Sequence, residues 1–252
     1  MAEASMAAPT GKLSDKPGAW VDLGLTLPIF LAYHVGVIFL RVQNATDIVT
    51  APLLRLAEGD RTAYVGITAG IGLAFATIFW FVGRGQALRP RKFVQIALEG
   101  VLYAFLMRFG AGFLVEKIFA GNIKDQGPLV GLVMSLGAGF YEELAFRVIL
   151  FGLGAKLLVW LVAREKYGLF AVGVGRPSTR AMALMFVWAA ASAAIFSGVH
   201  YIGAYGDAFQ LTSFTFRMFL GLALTLIYTT RGFAAAVWTH ALYDVWVLVL
   251  PH

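Results

Sequence analysis

The feature that most restricts this chain is a series of apolar runs. Each is about as long as a helix must be to cross roughly 30 Å of hydrocarbon at about 1.5 Å per residue. They occupy residues 20–40, 63–82, 93–113, 128–162, 181–200, 213–229 and 233–250. Lipid offers no hydrogen bonds, so a run buried in it must pair its own backbone groups, and a helix does this within one segment. The predicted fold is therefore all-α, a polytopic transmembrane helix bundle of about seven or eight spans. The fourth run, at 35 residues, exceeds the bilayer unless it tilts or breaks, and Gly131, Gly137, Gly139, Gly152 and Gly154 permit a break. Residues 48–56 read as a short interfacial helix, and residues 1–19, polar and rich in Pro and Gly, as a mobile tail without a signal-type apolar stretch. Residues 20–252 form a single transmembrane domain on this reading, with no internal repeat.

Charge then sets topology. Only 13% of residues are charged and 60% are hydrophobic, against about 25% charged in a soluble domain. A net charge of +6 is compatible with nucleic acid, but the basic residues fall in short clusters between apolar runs, which is the positive-inside pattern and excludes a nucleic-acid partner on this reading. Arg84, Arg89, Arg91 and Lys92 form one cluster and Arg164, Lys166, Arg176 and Arg180 another, both predicted cytoplasmic. The N-terminus and Arg231 fall on the same side, with Arg41, Arg55, Arg61 and Lys124 opposite. The expected location is a multi-pass protein of the plasma (inner) membrane if the chain is bacterial. Cysteine is absent, which removes disulfides, thiolate nucleophiles and Cys-ligated metals.

An ionisable group at the bilayer centre costs about 2.5 to 3.5 kcal/mol on insertion scales, so each needs a partner or a purpose. In the fourth run Glu143 and Arg147 are i and i+4, share a helix face and predict a buried ion pair. Glu142, about 100° around the helix, is left as the carboxylate free for chemistry. The fifth run ends with Phe196 and His200, also i and i+4, with Gly198 between them to admit a neighbouring backbone. The seventh holds His240 and Asp244 at the same spacing, so that imidazole and carboxylate share a face. Any one of these is compatible with a packing device, but three late spans each bringing polar groups into lipid most economically satisfy one another. Glu99 and Arg108 read as structural, Arg217 as snorkelling, His34 as isolated, and Gly66 with Gly70 as a close helix crossing.

In order, Glu142-Glu143-x-x-x-Arg147, Phe196-x-x-x-His200 and His240-x-x-x-Asp244 resemble the motifs of the CPBP family, the CAAX-protease and bacteriocin-processing intramembrane endopeptidases. The stretch Phe216-Arg217-Met-Phe-Leu-Gly221 resembles the helix leading into the third motif. The resemblance covers residues 128–252, which become the catalytic core. It implies that Glu142 and His200 polarise a water that attacks a scissile carbonyl, that His240 and position 244 face the oxyanion, and that Glu143, Arg147 and Phe196 support them. Family members often carry Asn where this chain has Asp244, and an ionised Asp cannot donate to an oxyanion. Asp244 must be protonated, orient His240, or serve a metal.

The implied substrate is a membrane-associated protein or peptide, with membrane lipid as the surrounding partner. No cofactor is expected; two His and a Glu could hold zinc, but the His-Glu-x-x-His arrangement is missing. Competing readings are an ion- or proton-coupled carrier with these residues as a relay, a cytochrome with His200 and His240 as haem ligands, and a non-catalytic scaffold. Depth presents one conflict. Counting residues places Glu142 about 21 Å from the outer end of its run, whereas His200 lies at the outer end of its own.

Overall fold

The structure, a computed structural model, describes residues 18–82, 90–112, 127–165, 177–203 and 206–250. Most of the tail, together with Arg84, Arg89, Lys124, Lys166, Arg176 and His252, lies outside these residues. The described residues contain no strand and form eight helices. They are α1 (Ala19–Leu40), α2 (Thr50–Leu56), α3 (Arg61–Val82), α4 (Pro90–Gly112), α5 (Pro128–Ala163), α6 (Thr179–Val199), α7 (Leu211–Arg231) and α8 (Phe233–Leu248). Five of them, α1, α4, α5, α6 and α7, are long and apolar enough to cross a membrane. Large apolar side chains such as Leu98 and Phe105 on α4, Leu157 on α5 and Phe186 on α6 remain exposed, as expected for an exterior facing lipid.

The seventh run forms a helix of only 16 residues, α8, short for a bilayer. Its surroundings explain this: α8 packs against α1, α4, α5 and α7, and Ala234, Ala235, Ala236 and Val237 are fully buried, so protein rather than lipid encloses it. Gly232, at φ 104°, makes the sharp turn out of α7 that L side chains resist. The first N–H groups of α8 then point at the Asp22 carboxylate of α1, to which Phe233 N and Ala234 N both donate. An anion at a helix N-terminus satisfies orphan donors and meets the positive end of the dipole.

The break permitted in the fourth run does not occur. α5 is continuous over 36 residues, with π-helical hydrogen bonding at Ala138–Glu142, Leu144–Leu153 and Val159–Ala163. Its glycines serve contact instead: a Cβ on Gly139 would lie 2.6 Å from that of Ala241 on α8. The crossing expected at Gly66 and Gly70 is absent among the described residues, since a Cβ at either would meet nothing within 4 Å, and the same holds at Gly198.

After α1 the chain folds back. Arg41, in the left-handed region at φ 57°, ends the helix, and Asn44, Asp47 and Thr50 are then buried. Tyr33, about two turns before the helix end, receives the Asn44 N–H on its hydroxyl at 3.0 Å and donates to Asp47 Oδ2 at 2.7 Å. Residues 41–47 thus lie alongside the end of α1. Irregular backbone of this kind survives in a membrane protein only where protein covers it.

Candidate active site

Three helices bring the motifs together. On α5, Glu143 and Arg147 are buried, with Arg147 Nε 3.1 Å from Glu143 Oε2. The second oxygen of Glu143 lies 2.7 Å from His240 Nδ1 on α8. A carboxylate accepts, so Nδ1 carries the proton and donates. His240 Nε2 stands 3.5 Å from Asp244 Oδ2, one turn further along α8. With Glu143 and Asp244 ionised, Arg147 charged and His240 doubly protonated, this set is neutral.

Glu142 faces another way. Its Oε2 is 4.0 Å from His200 Nε2, and both side chains keep some exposure, 13% and 29%. His200 caps the end of α6, where Nδ1 lies 2.9 Å from the Phe196 carbonyl. A carbonyl only accepts, so Nδ1 holds the proton and the Nε2 lone pair faces Glu142. Phe196 links the two halves: the Arg147 guanidinium lies 4.3 Å from its ring centroid, and the ring packs edge-on against His200 and His240. A Cβ on Gly221 of α7 would press on the same ring at 3.0 Å.

The depth conflict resolves through an axial offset. Trp188 of α6 donates to the Leu150 carbonyl of α5 at 2.9 Å, which aligns α6 with the later part of α5. The early turns of α5 pack on α1 and α8 instead. Glu142 and His200 therefore share a level although their distances from the run ends differ.

Other intramembrane polar residues have their own partners. Glu99 pairs with Arg231, not with Arg108, at 2.7 Å. Arg217 pairs with Asp207 at 2.5 Å and faces the Tyr201 ring rather than snorkelling. His34, without a motif in sequence, lies 2.8 Å from the Tyr141 hydroxyl and 3.2 Å from that of Tyr64. Sequence reasoning missed Asn44, whose Nδ2 donates to Glu142 Oε1 at 3.3 Å. An Asn in a polar connection reads only as a turn residue, and no periodicity marks it. Among the described residues no three His, Asp or Glu side chains form a group that could hold a metal ion.

Long helices with exposed apolar side chains around a largely enclosed cluster of two histidines and three carboxylates define a multi-pass helical membrane protein with a polar site inside its bundle. Residues 124–246 match the family model described as Type II CAAX prenyl endopeptidase Rce1-like, so the segment holding all three motifs is a domain of the CPBP, or CAAX protease, family. At family level this is an intramembrane CAAX endopeptidase domain, and such proteins act on membrane-associated protein substrates. No curated protein and no solved structure matches the chain.

Proposed function

We propose that the protein is an intramembrane endopeptidase in which Glu142 and His200 activate a water to hydrolyse a peptide bond of a membrane-associated protein or peptide. The observation that carries this reading is the gap between Glu142 Oε2 and His200 Nε2. At 4.0 Å it is too long for a direct hydrogen bond, and one water at about 2.8 Å from each group spans it. Both facing atoms are acceptors, so such a water presents its protons to them and an oxygen lone pair to a substrate carbonyl carbon. As the C–O bond forms, the proton passes to Glu142 and the carbonyl oxygen takes up negative charge. The tetrahedral intermediate collapses when the C–N bond breaks and Glu142 returns the proton to the leaving amine.

His240 suits the developing oxyanion. Its Nδ1–H is committed to Glu143, while its Nε2, at 3.5 Å from Asp244, is loosely held and can turn its proton to a substrate oxygen. Asp244 then orients the ring rather than donating. Glu143 and Arg147 anchor His240 and take no part in proton transfer. We further propose that no metal is needed, since Glu142 and His200 already supply two acceptors for the water.

The test is cleavage of a panel of membrane peptides, including one ending in a prenylated Cys-aliphatic-aliphatic-X sequence, by purified protein in liposomes with and without a chelator. Glu142→Ala and His200→Ala are expected to abolish cleavage while remaining folded, and the chelator to leave wild-type cleavage intact. Activity in either folded variant removes that residue from the mechanism. If the wild type cuts nothing, the carrier and scaffold readings replace this one.

A further inference from the structure

We infer that Asn44, which lies before the family-matched segment, is a positioning residue that fixes the orientation of the Glu142 carboxylate; this rests on the role proposed for Glu142. The carboxamide has one chemically possible orientation. Its Oδ1 accepts from Thr46 N–H at 2.9 Å and from the Thr46 hydroxyl, and a backbone N–H can only donate. The Nδ2 end is thereby the one aimed at Glu142 Oε1, 3.3 Å away. The two oxygens of Glu142 receive different tasks: Oε1 is tied to Asn44, and Oε2 faces His200. A carboxylate bound through one oxygen does not rotate freely about its last torsion, so the basic lone pairs of Oε2 stay directed at the gap.

Asn44 is itself held. Its N–H donates to Tyr33, the Tyr33 hydroxyl donates to Asp47, and Asp47 Oδ1 accepts from Val49 N and Thr50 N at the start of α2. Asn44 is 6% exposed, and Gly137 on α5 is what allows its approach, because a Cβ there would meet the Asn44 Cβ at 3.0 Å and the Tyr33 ring more closely still. The end of α1 and the folded-back segment together form a clamp on one side of the candidate base. The donor comes from a part of the chain that the family motifs do not include.

The experiment compares full-length Asn44→Ala, Asn44→Asp and Thr46→Val with wild type and Glu142→Gln, using an internally quenched farnesylated peptide with a C-terminal Cys-aliphatic-aliphatic-X sequence. Asn44→Asp is the deciding variant: its carboxylate still accepts from Thr46 but cannot donate to Glu142 when ionised. Losing a hydrogen bond to a charged group is expected to lower kcat by roughly ten-fold or more in both Asn44 variants, with KM within about two-fold. Thr46→Val, which removes the hydroxyl donor to the carboxamide oxygen but keeps the backbone N–H, should lower kcat by about three-fold. If Asn44→Asp retains wild-type kcat, the inference is overturned, as it is if kcat of the folded Asn44 variants is unchanged and only thermal stability falls. Glu142→Gln separates the two levels. An active Glu142→Gln defeats the proposed function itself, whereas an inactive Glu142→Gln beside a fully active Asn44→Asp defeats the role of Asn44 alone.

Discussion

Arg147→Ala removes the guanidinium paired with Glu143 in a pocket where Arg147 and Glu143 are 1% and 0% exposed. Glu143 keeps its contact with His240 at 2.7 Å but loses the guanidinium at 3.1 Å, and Phe196 loses the planar group lying 4.3 Å from its ring centroid. Removing one partner of a buried pair costs about 3 to 5 kcal/mol because the other charge is left uncompensated. At roughly 2 to 4 °C per kcal/mol for a chain of about this size, Tm should fall by roughly 6 to 20 °C. Tryptophan fluorescence of the detergent-solubilised protein on heating would measure it. The double variant Glu143→Gln/Arg147→Met separates charge from packing. It removes both charges, keeps an acceptor oxygen for His240 Nδ1 and fills most of the arginine's volume, so it should recover at least half of the loss, as replacement of buried pairs by apolar groups often does. An Arg147→Ala protein melting within about 2 °C of wild type, or a double variant less stable than Arg147→Ala, would refute the assignment of this pair as a buried, mutually dependent unit.

Asp22→Ala strips the acceptor from the first N–H groups of α8 and should cost about 1 to 2 kcal/mol of stability, seen as a lower Tm with an unchanged KM. Gly139→Val drives a branched side chain into Ala241 and should separate α5 from α8, lowering Tm and cleavage together; a variant matching wild type in both would show that the contact yields freely. Asp244→Asn replaces an acceptor with a group that can donate to an oxyanion. If Asp244 serves only to orient His240, kcat falls by a few-fold, and an unchanged or higher kcat would assign the position a donor's role instead.

The membrane class was legible because lipid leaves few solutions to the backbone: long apolar runs must become helices, and ionisable groups within them are conspicuous. The pairing of Glu143 with Arg147 follows from one helical turn of separation. The contact of Glu143 with His240 does not, because it depends on how deep α8 sits against α5, and Gly139 sets that depth through a contact invisible to periodicity. The same limit explains the depth conflict of Glu142 and His200, since run ends report where hydropathy changes and not how neighbouring helices slide past one another. Asn44 was least legible. It lies 98 residues before Glu142 in a connection whose polar composition describes a solvent-facing turn equally well.

The enclosure of α8 has a consequence for biosynthesis. Every helix that α8 packs against precedes it in the chain, so all of them are made first. Until α8 emerges, α1, α4, α5 and α7 lack the helix they enclose, and the two amides that donate to Asp22 are not yet made. Sixteen residues, with small alanines over the first turn, make a weak independent stop in the translocation channel. Burial against those helices stabilises this segment where contact with lipid does not, and His240 and Asp244 reach the polar cluster only when α8 packs. The site is therefore completed only once α8 has joined helices made before it.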